Sequence, residues 1–381
     1  MYDGHRALIH LLDGQKLELL IKPRLLVAEL LDIVASHVCL KHPDKKYFGI
    51  RYIDEDHQFR WLPDDRRVLD CEFSHKILLS RSPLLLYHNV RYFVDSVTSL
   101  QHPATVELFF LEAKNQLCEG LLDLSNSDFY NLVANYLQIY EGDFQTEECA
   151  LLSLKTHLPF PKRLISNYGI SYDTYEHNVI EAYKSLIGTS KGSSIMNFMQ
   201  IAEKSSTYGS RFYNVQDRNG CPWTVALNSK GIYLYDADDI SHPKKVFVWR
   251  LLDNLYYKDR KFSIEIRDNW RIIQSATDSS TSLADNNLIA NDIDTSLSQF
   301  SNDKSHRLWN SQRAPAPSSV YFHAFFCDSA AQCKSLWTAA VAQHQFYLDQ
   351  RTSHSAQNFI TYTSTTAIAT RCRCLNVTHV G

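Results

Sequence analysis

Apolar residues in the first part of the chain recur with two different periods, and each change of period marks a new element. Alternation predicts strands at 6–12 and 16–21, and Asp13-Gly14 between them is a typical hairpin turn. After Pro23 the spacing is helical, with apolar residues at Leu26, Leu30, Ile33, Val34 and Val38. Further strands are predicted at 47–53, 58–62 and 84–93. This order of elements predicts a ubiquitin-like β-grasp over residues 5–94.

The second block, residues 103–206, has helical spacing almost throughout. The pattern predicts helices at 105–118, 128–140, 147–154, 172–187 and 193–204. Gly142-Asp143, the loop Leu158-Pro159-Phe160-Pro161 and Gly188 separate neighbouring helices. We therefore predict a small helical bundle.

The third block, residues 207–351, is rich in strands. They are predicted at 212–216, 223–227, 232–235, 246–249, 255–258, 262–266 and 321–326. An amphipathic helix at 328–350 follows the last of them. Seven strands closed by one C-terminal helix indicate a β-sandwich of the pleckstrin-homology (PH) or phosphotyrosine-binding (PTB) type.

Two segments lack any such period. Residues 275–319 are rich in Ser, Asn, Asp and Thr, and we predict a disordered insertion in the third block. Residues 352–381 are rich in Thr, Ser and Ala, and we predict a disordered tail. The chain is thus predicted to be a multidomain α+β protein with three lobes, each with its own core.

Composition narrows the function classes. A hydrophobic content of 44%, a charged content of 21% and a net charge of −3 are those of a soluble globular protein, not of a basic nucleic-acid binder. The charge is uneven: residues 104–206 hold 7 basic and 13 acidic side chains, whereas residues 207–274 hold 11 and 8. The third block is therefore the better candidate for contact with an anionic surface.

Several kinds of chemistry have no motif here. The nine cysteines include no CxxC pair, so neither a disulfide framework nor a structural zinc site is predicted. The chain has no phosphate-binding glycine loop and no HExxH motif, and no catalytic residue is predicted. The polar N-terminus and the absence of a long apolar run predict a cytosolic protein without cofactor or metal.

Particular residues give these three blocks a family likeness. Tyr47-Phe48-Gly49-Ile50 and Trp61-Leu62 in the first block, Tyr208-Gly209 at the second boundary, and Lys230-Gly231-Ile232 in the third resemble the FERM family. The resemblance covers roughly residues 6–351. It implies a three-lobed clover: the β-grasp, a bundle like acyl-CoA-binding protein, and a PH/PTB-like lobe.

Within the family, the chain is most similar to the FERM domain-containing protein 4 subfamily. The residues that suggest it include Asp65-Arg66-Arg67-Val68-Leu69 and Gly220-Cys221-Pro222-Trp223. The resemblance implies a scaffold of epithelial junctions and polarity. It also implies cytohesin-type Arf exchange factors and Par-3 as partners, held mainly by segments downstream of the FERM domain.

The resemblance also implies a lipid site between the first and third lobes. The matching basic residues are Arg66 and Arg67, with Arg260 and Lys261. Several cations around one phosphoinositide head group make charge-assisted hydrogen bonds. Pro63 stands where linkers of the ezrin type carry a lysine. The competing interpretation of these four residues is an ordinary solvated charge cluster.

A peptide groove is predicted between one strand of the third lobe and its closing helix. On the strand it comprises Leu255, Tyr256, Tyr257 and Lys258; on the helix, Trp337, Val341 and His344 share one face. An extended cytoplasmic tail of a membrane or junction protein could pair with this strand. The competing interpretation is that Trp337 and Val341 only cover the lobe's core.

Three functions remain open at this point. The first is a non-catalytic scaffold at the cell cortex that binds acidic lipid and short peptide tails. The second is the targeting head of a larger enzyme, such as a FERM-containing tyrosine phosphatase. The third is a cytoskeletal linker, which would need an actin-binding tail.

Overall fold

The structure, a computed structural model, describes residues 4–55, 58–73, 82–156, 169, 171–240, 242–266 and 321–374, with only the backbone for 353–374. It contains three lobes: a mixed sheet with one helix, a helical bundle, and an antiparallel sheet with a long C-terminal helix. The predicted three-lobed α+β architecture is therefore confirmed. The predicted insertion at 275–319 and the last residues of the tail, 375–381, lie outside the described residues.

Lobe 1 is built around a five-stranded sheet in the order β2-β1-β5-β3-β4. Its elements are β1 (His5–His10), β2 (Lys16–Ile21), α1 (Val27–His37), β3 (Phe48–Ile53), β4 (Phe59–Trp61) and β5 (Leu84–Val90). Alternate residues of the strands, such as Ile9 and Leu86, are fully buried together with Leu30 and Val34 of α1. The period of two thus places one face of the sheet in the core and leaves the other outside.

Lobe 2 contains the five predicted helices. They are α2 (Pro103–Glu119), α3 (Asn126–Glu141), α4 (Glu147–Thr156), α5 (Tyr172–Lys184) and α6 (Lys191–Ala202). Three of them begin after a serine whose hydroxyl accepts a backbone N–H of the first turn: Ser125, Ser171 and Ser190. These hydroxyls satisfy N–H groups that have no partner within the helix, which fixes where each helix starts.

Lobe 3 is a sheet of seven antiparallel strands in the order β10-β11-β12-β6-β7-β8-β9. They are β6 (Arg211–Gln216), β7 (Pro222–Leu227), β8 (Gly231–Asp236), β9 (Lys245–Val248), β10 (Leu252–Lys258), β11 (Lys261–Ile266) and β12 (Tyr321–Phe326). β12 pairs with β6 through one residue pair, Phe326 with Gln216. The sheet opens at this point, and its two halves enclose a core that includes Phe262, Ile264 and Trp249.

The closing helix, α7 (Ala330–Cys374), is longer than predicted. We expected it to end near residue 350 and expected a disordered tail from 352. The backbone instead stays helical to Cys374. The reason is that the segment contains neither Gly nor Pro, and extending an established helix requires far less free energy than starting one.

The expectation of three separate cores is wrong for the first two lobes. Their buried apolar residues form one continuous cluster, whereas lobe 3 has its own. Phe109 of α2 joins them: its ring centroid lies 5.7 Å from that of Phe48 in β3 and 5.9 Å from that of Phe93 in the connecting segment. In the connecting segment, Phe93 and Val97 are buried and join this cluster, although several of their neighbours are exposed.

Helix α7 also joins lobe 3 to lobe 1. The ring of Phe346 stacks on Tyr92, with centroids 4.2 Å apart and an interplanar angle of 9°. It meets Tyr47 edge to face at 5.9 Å. Contacts of this kind fix the orientation of one lobe against another, and here they hold the walls of a cleft.

Candidate functional site

A cleft of about 390 Å³ lies where β4 of lobe 1 faces β6 and the start of α7 in lobe 3. This volume is within the range of small-molecule sites, about 300–1,000 Å³. Lobe 1 contributes Trp61, Pro63 and Arg66, and lobe 3 contributes Arg211 and Lys334. No single lobe therefore forms the cleft.

Among the residues that the structure describes, five basic and two acidic side chains line the cleft. The basic ones are Arg60, Arg66, Arg91, Arg211 and Lys334, and the acidic ones are Asp54 and Glu72. A cleft with this excess of positive charge favours an anion that carries several charges.

Three of the cations are paired with carboxylates of the protein. Arg60 Nε lies 2.6 Å from Asp54 Oδ2, and Arg60 Nη1 donates to the carbonyl of Ala331 at 2.8 Å. Because Ala331 belongs to α7, Arg60 also connects the two lobes across the cleft. Arg91 and Lys334 each lie 3.2 Å from a carboxylate, of Asp64 and Glu72 respectively. Arg66 is exposed and lines the cleft beside them.

Trp61 organises the inner wall of the cleft. Three guanidinium groups lie over its ring, those of Arg211 at 4.2 Å, Arg91 at 5.8 Å and Arg51 at 6.0 Å from the centroid. Arg211 Nη2 also donates to the carbonyl of Val90 at 2.9 Å. Like charges this close repel each other, and the face of an indole ring partly offsets that repulsion.

Burial, and secondarily the charge of Arg51, lowers the pKa of Arg211 to about 10. The group therefore remains protonated at neutral pH and keeps its charge in the cleft. Burial also lowers the pKa of Arg51, while Glu112 and Glu119 of α2 act in the opposite direction. Behind the cleft, Arg51 Nε donates to Asn89 Oδ1 and Asn89 Nδ2 donates to Glu112 Oε2, each at 2.8 Å. This chain of hydrogen bonds fixes Arg51 from lobe 2.

The structure separates the four residues predicted to bind lipid. Arg66 lines the cleft, but Arg67 does not; its backbone pairs with Leu26 instead. Arg260 and Lys261 lie at the turn between β10 and β11, outside the residues that line the cleft. Arg260 Nε donates to the carbonyl of Cys327 at 2.8 Å. One predicted residue of four thus faces the cleft.

Sequence reasoning missed four cations of the cleft, Arg60, Arg91, Arg211 and Lys334. Trp61 was noted only as part of the family likeness. The arginines stand singly among unrelated neighbours, and no local pattern links them. Their convergence depends on the way the lobes dock.

The predicted peptide groove is present as a geometric feature. β10 is a terminal strand of the sheet, and α7 lies beside it. Trp337 Nε1 donates to the carbonyl of Leu255 at 2.8 Å, and its ring lies 4.7 Å from that of Tyr257. Val341 is partly exposed on the same side of the helix. His344 stacks on Trp249 at 5.7 Å, and burial lowers its pKa.

Tyr256 and Lys258, the other two strand residues of the predicted groove, contact residues of β11 rather than Trp337. The Tyr256 hydroxyl donates to Glu265 Oε2 at 2.6 Å on the face of the sheet away from α7. Lys258 pairs with Lys261 next to the turn and is exposed. Trp337 contacts the lobe's core and the open strand together, so its position agrees with either interpretation, and peptide binding in the groove stays a prediction.

The part of the chain that the structure describes shows neither a membrane-spanning helix nor a metal-binding cluster. No helix there is long and apolar enough to cross a membrane. No group of three or more His, Cys, Asp or Glu residues there could hold a metal ion.

A β-grasp lobe, a helical bundle and a PH-like lobe, with a cationic cleft between the first and the third, define the class of the protein, a three-lobed module. The chain belongs to the FERM family. The FERM N-terminal domain matches residues 9–71, the FERM central domain 95–213, and the FERM C-terminal PH-like domain 217–355. The likeness to the FERM domain-containing protein 4 subfamily stays a prediction.

Curated relatives include Merlin of Rattus norvegicus and of Homo sapiens. Each is 24% identical over 241 residues, which is 63% of this chain. The match covers 40% of the rat protein and 39% of the human protein. The chain thus spans about two fifths of the length of these relatives.

Solved structures with the same fold include the FERM and C-terminal domain complex of Drosophila Merlin. It covers 92% of this chain and 98% of that chain, with a TM-score of 0.67 and 18% identity. The human Myosin 7b MyTH4-FERM domain, in complex with the harmonin-a PDZ3 domain, covers 69% of this chain and 55% of that chain, with a TM-score of 0.55 and 11% identity. At these identities the likeness shows the fold.

Proposed function

We propose that this chain is a non-catalytic FERM adaptor that works at the cytoplasmic face of the plasma membrane. Its cleft between lobes 1 and 3 binds a phosphoinositide head group, and the groove of lobe 3 binds a short cytoplasmic peptide tail. The observation that carries the proposal is the convergence of five cations from two lobes on one cleft of about 390 Å³.

The partners of these cations support an anionic ligand. Arg60, Arg91 and Lys334 are paired with carboxylates at one side of each group, and exposed Arg66 lies beside them. A guanidinium has several N–H groups in a planar array, so one carboxylate leaves donors for a phosphate. A lipid head group in the cleft would also place the open side of the module against an anionic membrane, which attracts further basic residues.

The family likeness extends this proposal to the cell cortex and to epithelial junctions. Cytohesin-type Arf exchange factors and Par-3 are the candidate partners of segments downstream of the FERM domain. The harmonin-a PDZ3 complex of Myosin 7b is a precedent for a protein partner on a MyTH4-FERM domain. For this chain these assignments rest on the likeness alone.

Co-sedimentation with phosphoinositide vesicles tests the lipid site. We expect Arg66→Gln combined with Lys334→Gln to weaken binding about thirtyfold, because each basic residue near an anionic surface contributes about 1 kcal/mol. Arg67→Gln is the matched control, since Arg67 is equally exposed but lies outside the cleft. Because the control removes one charge and the double variant two, a control loss of about half the double variant's free energy, roughly fivefold in affinity, would show a general charge effect. No loss in the double variant would remove the cleft as the site.

A soluble inositol phosphate distinguishes the two possible sources of the ligand. If the cleft recognises the head group, the free inositol phosphate competes with the vesicles and loses affinity in the double variant. If the free compound fails to compete while vesicles still require Arg66 and Lys334, the membrane surface itself is the ligand.

A further inference from the structure

The open edge of β10 presents a limited set of backbone groups. Lys258 and Lys261 form the pair that closes the two-residue turn of the β10–β11 hairpin. In an antiparallel pair, consecutive residues direct their N–H and C=O groups alternately to one side and the other. The closing pair of a two-residue hairpin is hydrogen-bonded, so the backbone groups of Lys258 and Tyr256 face β11. The backbone groups of Leu255 and Tyr257 therefore face the open edge. The bond from Trp337 Nε1 to the Leu255 carbonyl agrees with this assignment.

Trp337 thus occupies one acceptor that an added strand would use. Its indole ring lies against the ring of Tyr257 and is partly buried beside the lobe's core. Within the part of the chain that the structure describes, the backbone of Tyr257 has no partner on the open side. An incoming strand can pair with Tyr257 directly, but it reaches Leu255 only by displacing the indole N–H.

The two ends of this edge carry side chains of opposite charge. Lys258, Arg260 and Lys261 surround the turn at one end of the strand, with Asp259 between them. Among the described residues, neither Lys258 nor Lys261 forms an ion pair. At the other end, Asp253 precedes the groove and Glu265 accepts from Asn254 and Tyr256. The end near the turn is therefore positive, and it fits a ligand with acidic side chains there.

We propose that the edge of β10 binds an extended acidic segment of a partner protein, and that the Trp337 indole competes with it for the carbonyl of Leu255. The segment pairs with Tyr257, and its acidic side chains contact Lys258 and Lys261. The inference rests on the proposed peptide-binding function and names the chemistry of the partner and the residue that limits its affinity.

The test begins with random peptides of about ten residues, long enough for one strand, selected for binding to the full chain. We expect the enriched peptides to carry Asp or Glu. Their affinity, measured by fluorescence anisotropy, should be about fivefold higher for Trp337→Phe, because phenylalanine keeps the ring but removes the competing donor. Trp223→Phe, a tryptophan substitution elsewhere in lobe 3, should leave the affinity unchanged.

Charge reversal tests the polarity of the edge. Lys258→Glu with Lys261→Glu should weaken the same peptides at least tenfold, whereas Lys16→Glu on lobe 1 should not. If the enriched peptides lack acidic residues, or if their affinity does not change on this charge reversal, the bound segment is not acidic and this part of the proposal is wrong. Equal or lower affinity of Trp337→Phe would overturn the competition. If no peptide binds the wild type or Trp337→Phe, this inference and the peptide part of the proposed function are both overturned. The lipid part of the proposed function would be unaffected.

Discussion

Replacing Gly209 with alanine is expected to lower the free energy of unfolding by about 3 kcal/mol. Gly209 has a φ of +67°, a conformation that disfavours any residue with a Cβ atom. A Cβ atom there would lie 2.5 Å from Cγ of Phe93, which is 5% exposed and contacts both Phe109 and Tyr208. The ring is buried against two other aromatic rings, so we expect the strain of this close contact to add to the backbone effect. Urea unfolding measures the difference.

Gly220→Ala is the matched control for this substitution. Gly220 has a φ of +81°, but a Cβ atom there would contact nothing within 4 Å. The control should lose only the backbone contribution, about 1 kcal/mol. Equal losses at the two positions would mean that Phe93 moves freely and that the junction is not tightly packed.

The position of Gly209 explains why so large an effect is expected from one added carbon. The residue lies just before β6, where the chain enters lobe 3, and its N–H donates to Gln116 Oε1 of α2 at 3.2 Å. Phe93 at the same place lies near the start of the connection between lobes 1 and 2. One close contact thus lies at the junction of all three lobes, and loosening it would change the cleft formed by their docking.

Most secondary structure was predictable because each lobe keeps a regular period over whole elements. Helix α1 begins at Val27, one residue after the first apolar position of its pattern, and β12 has the predicted bounds. The end of α7 was not predictable in the same way. Its last part has no apolar period, so the pattern gave no sign of a helix that continues because nothing interrupts it.

A candidate site was predictable only where its residues lie close together in the sequence, on the same strand or helix. The β10 groove follows from neighbouring residues on one strand and one helix face, and the structure places that strand beside that helix, whereas peptide binding there stays a prediction. The cleft joins Arg60 with Arg211 and Lys334, which are far apart in sequence. Arg260 and Lys261 were chosen by likeness, and the turn that holds them lies outside the cleft. A local sequence pattern predicts single helices and strands, but it does not predict which side chains meet when the lobes dock.

Acid is expected to destabilise the chain through His88, with a loss of about 3 kcal/mol between pH 6.5 and pH 4. His88 is 1% exposed, its two ring nitrogens have no partner among the described residues, and it stacks on Phe48 with centroids 5.3 Å apart. Burial lowers its pKa from 6.5 to about 4. Within that window the unfolded chain binds a proton that the folded chain does not. Its contribution is therefore complete above pH 6.5 and is lost as the pH falls toward 4.

Urea unfolding of the wild type and of His88→Leu across this range isolates the effect. Leucine fills a similar volume without a titrating group, so the variant should be at least as stable at neutral pH. The difference in unfolding free energy between the two proteins should change by about 3 kcal/mol from pH 7 to pH 4. His37→Leu, at an exposed position of α1, should show no such change. A His88→Leu profile parallel to the wild type would mean that the imidazole reaches water in the folded state, and that the packing of β5 against Phe48 is looser than this structure has it.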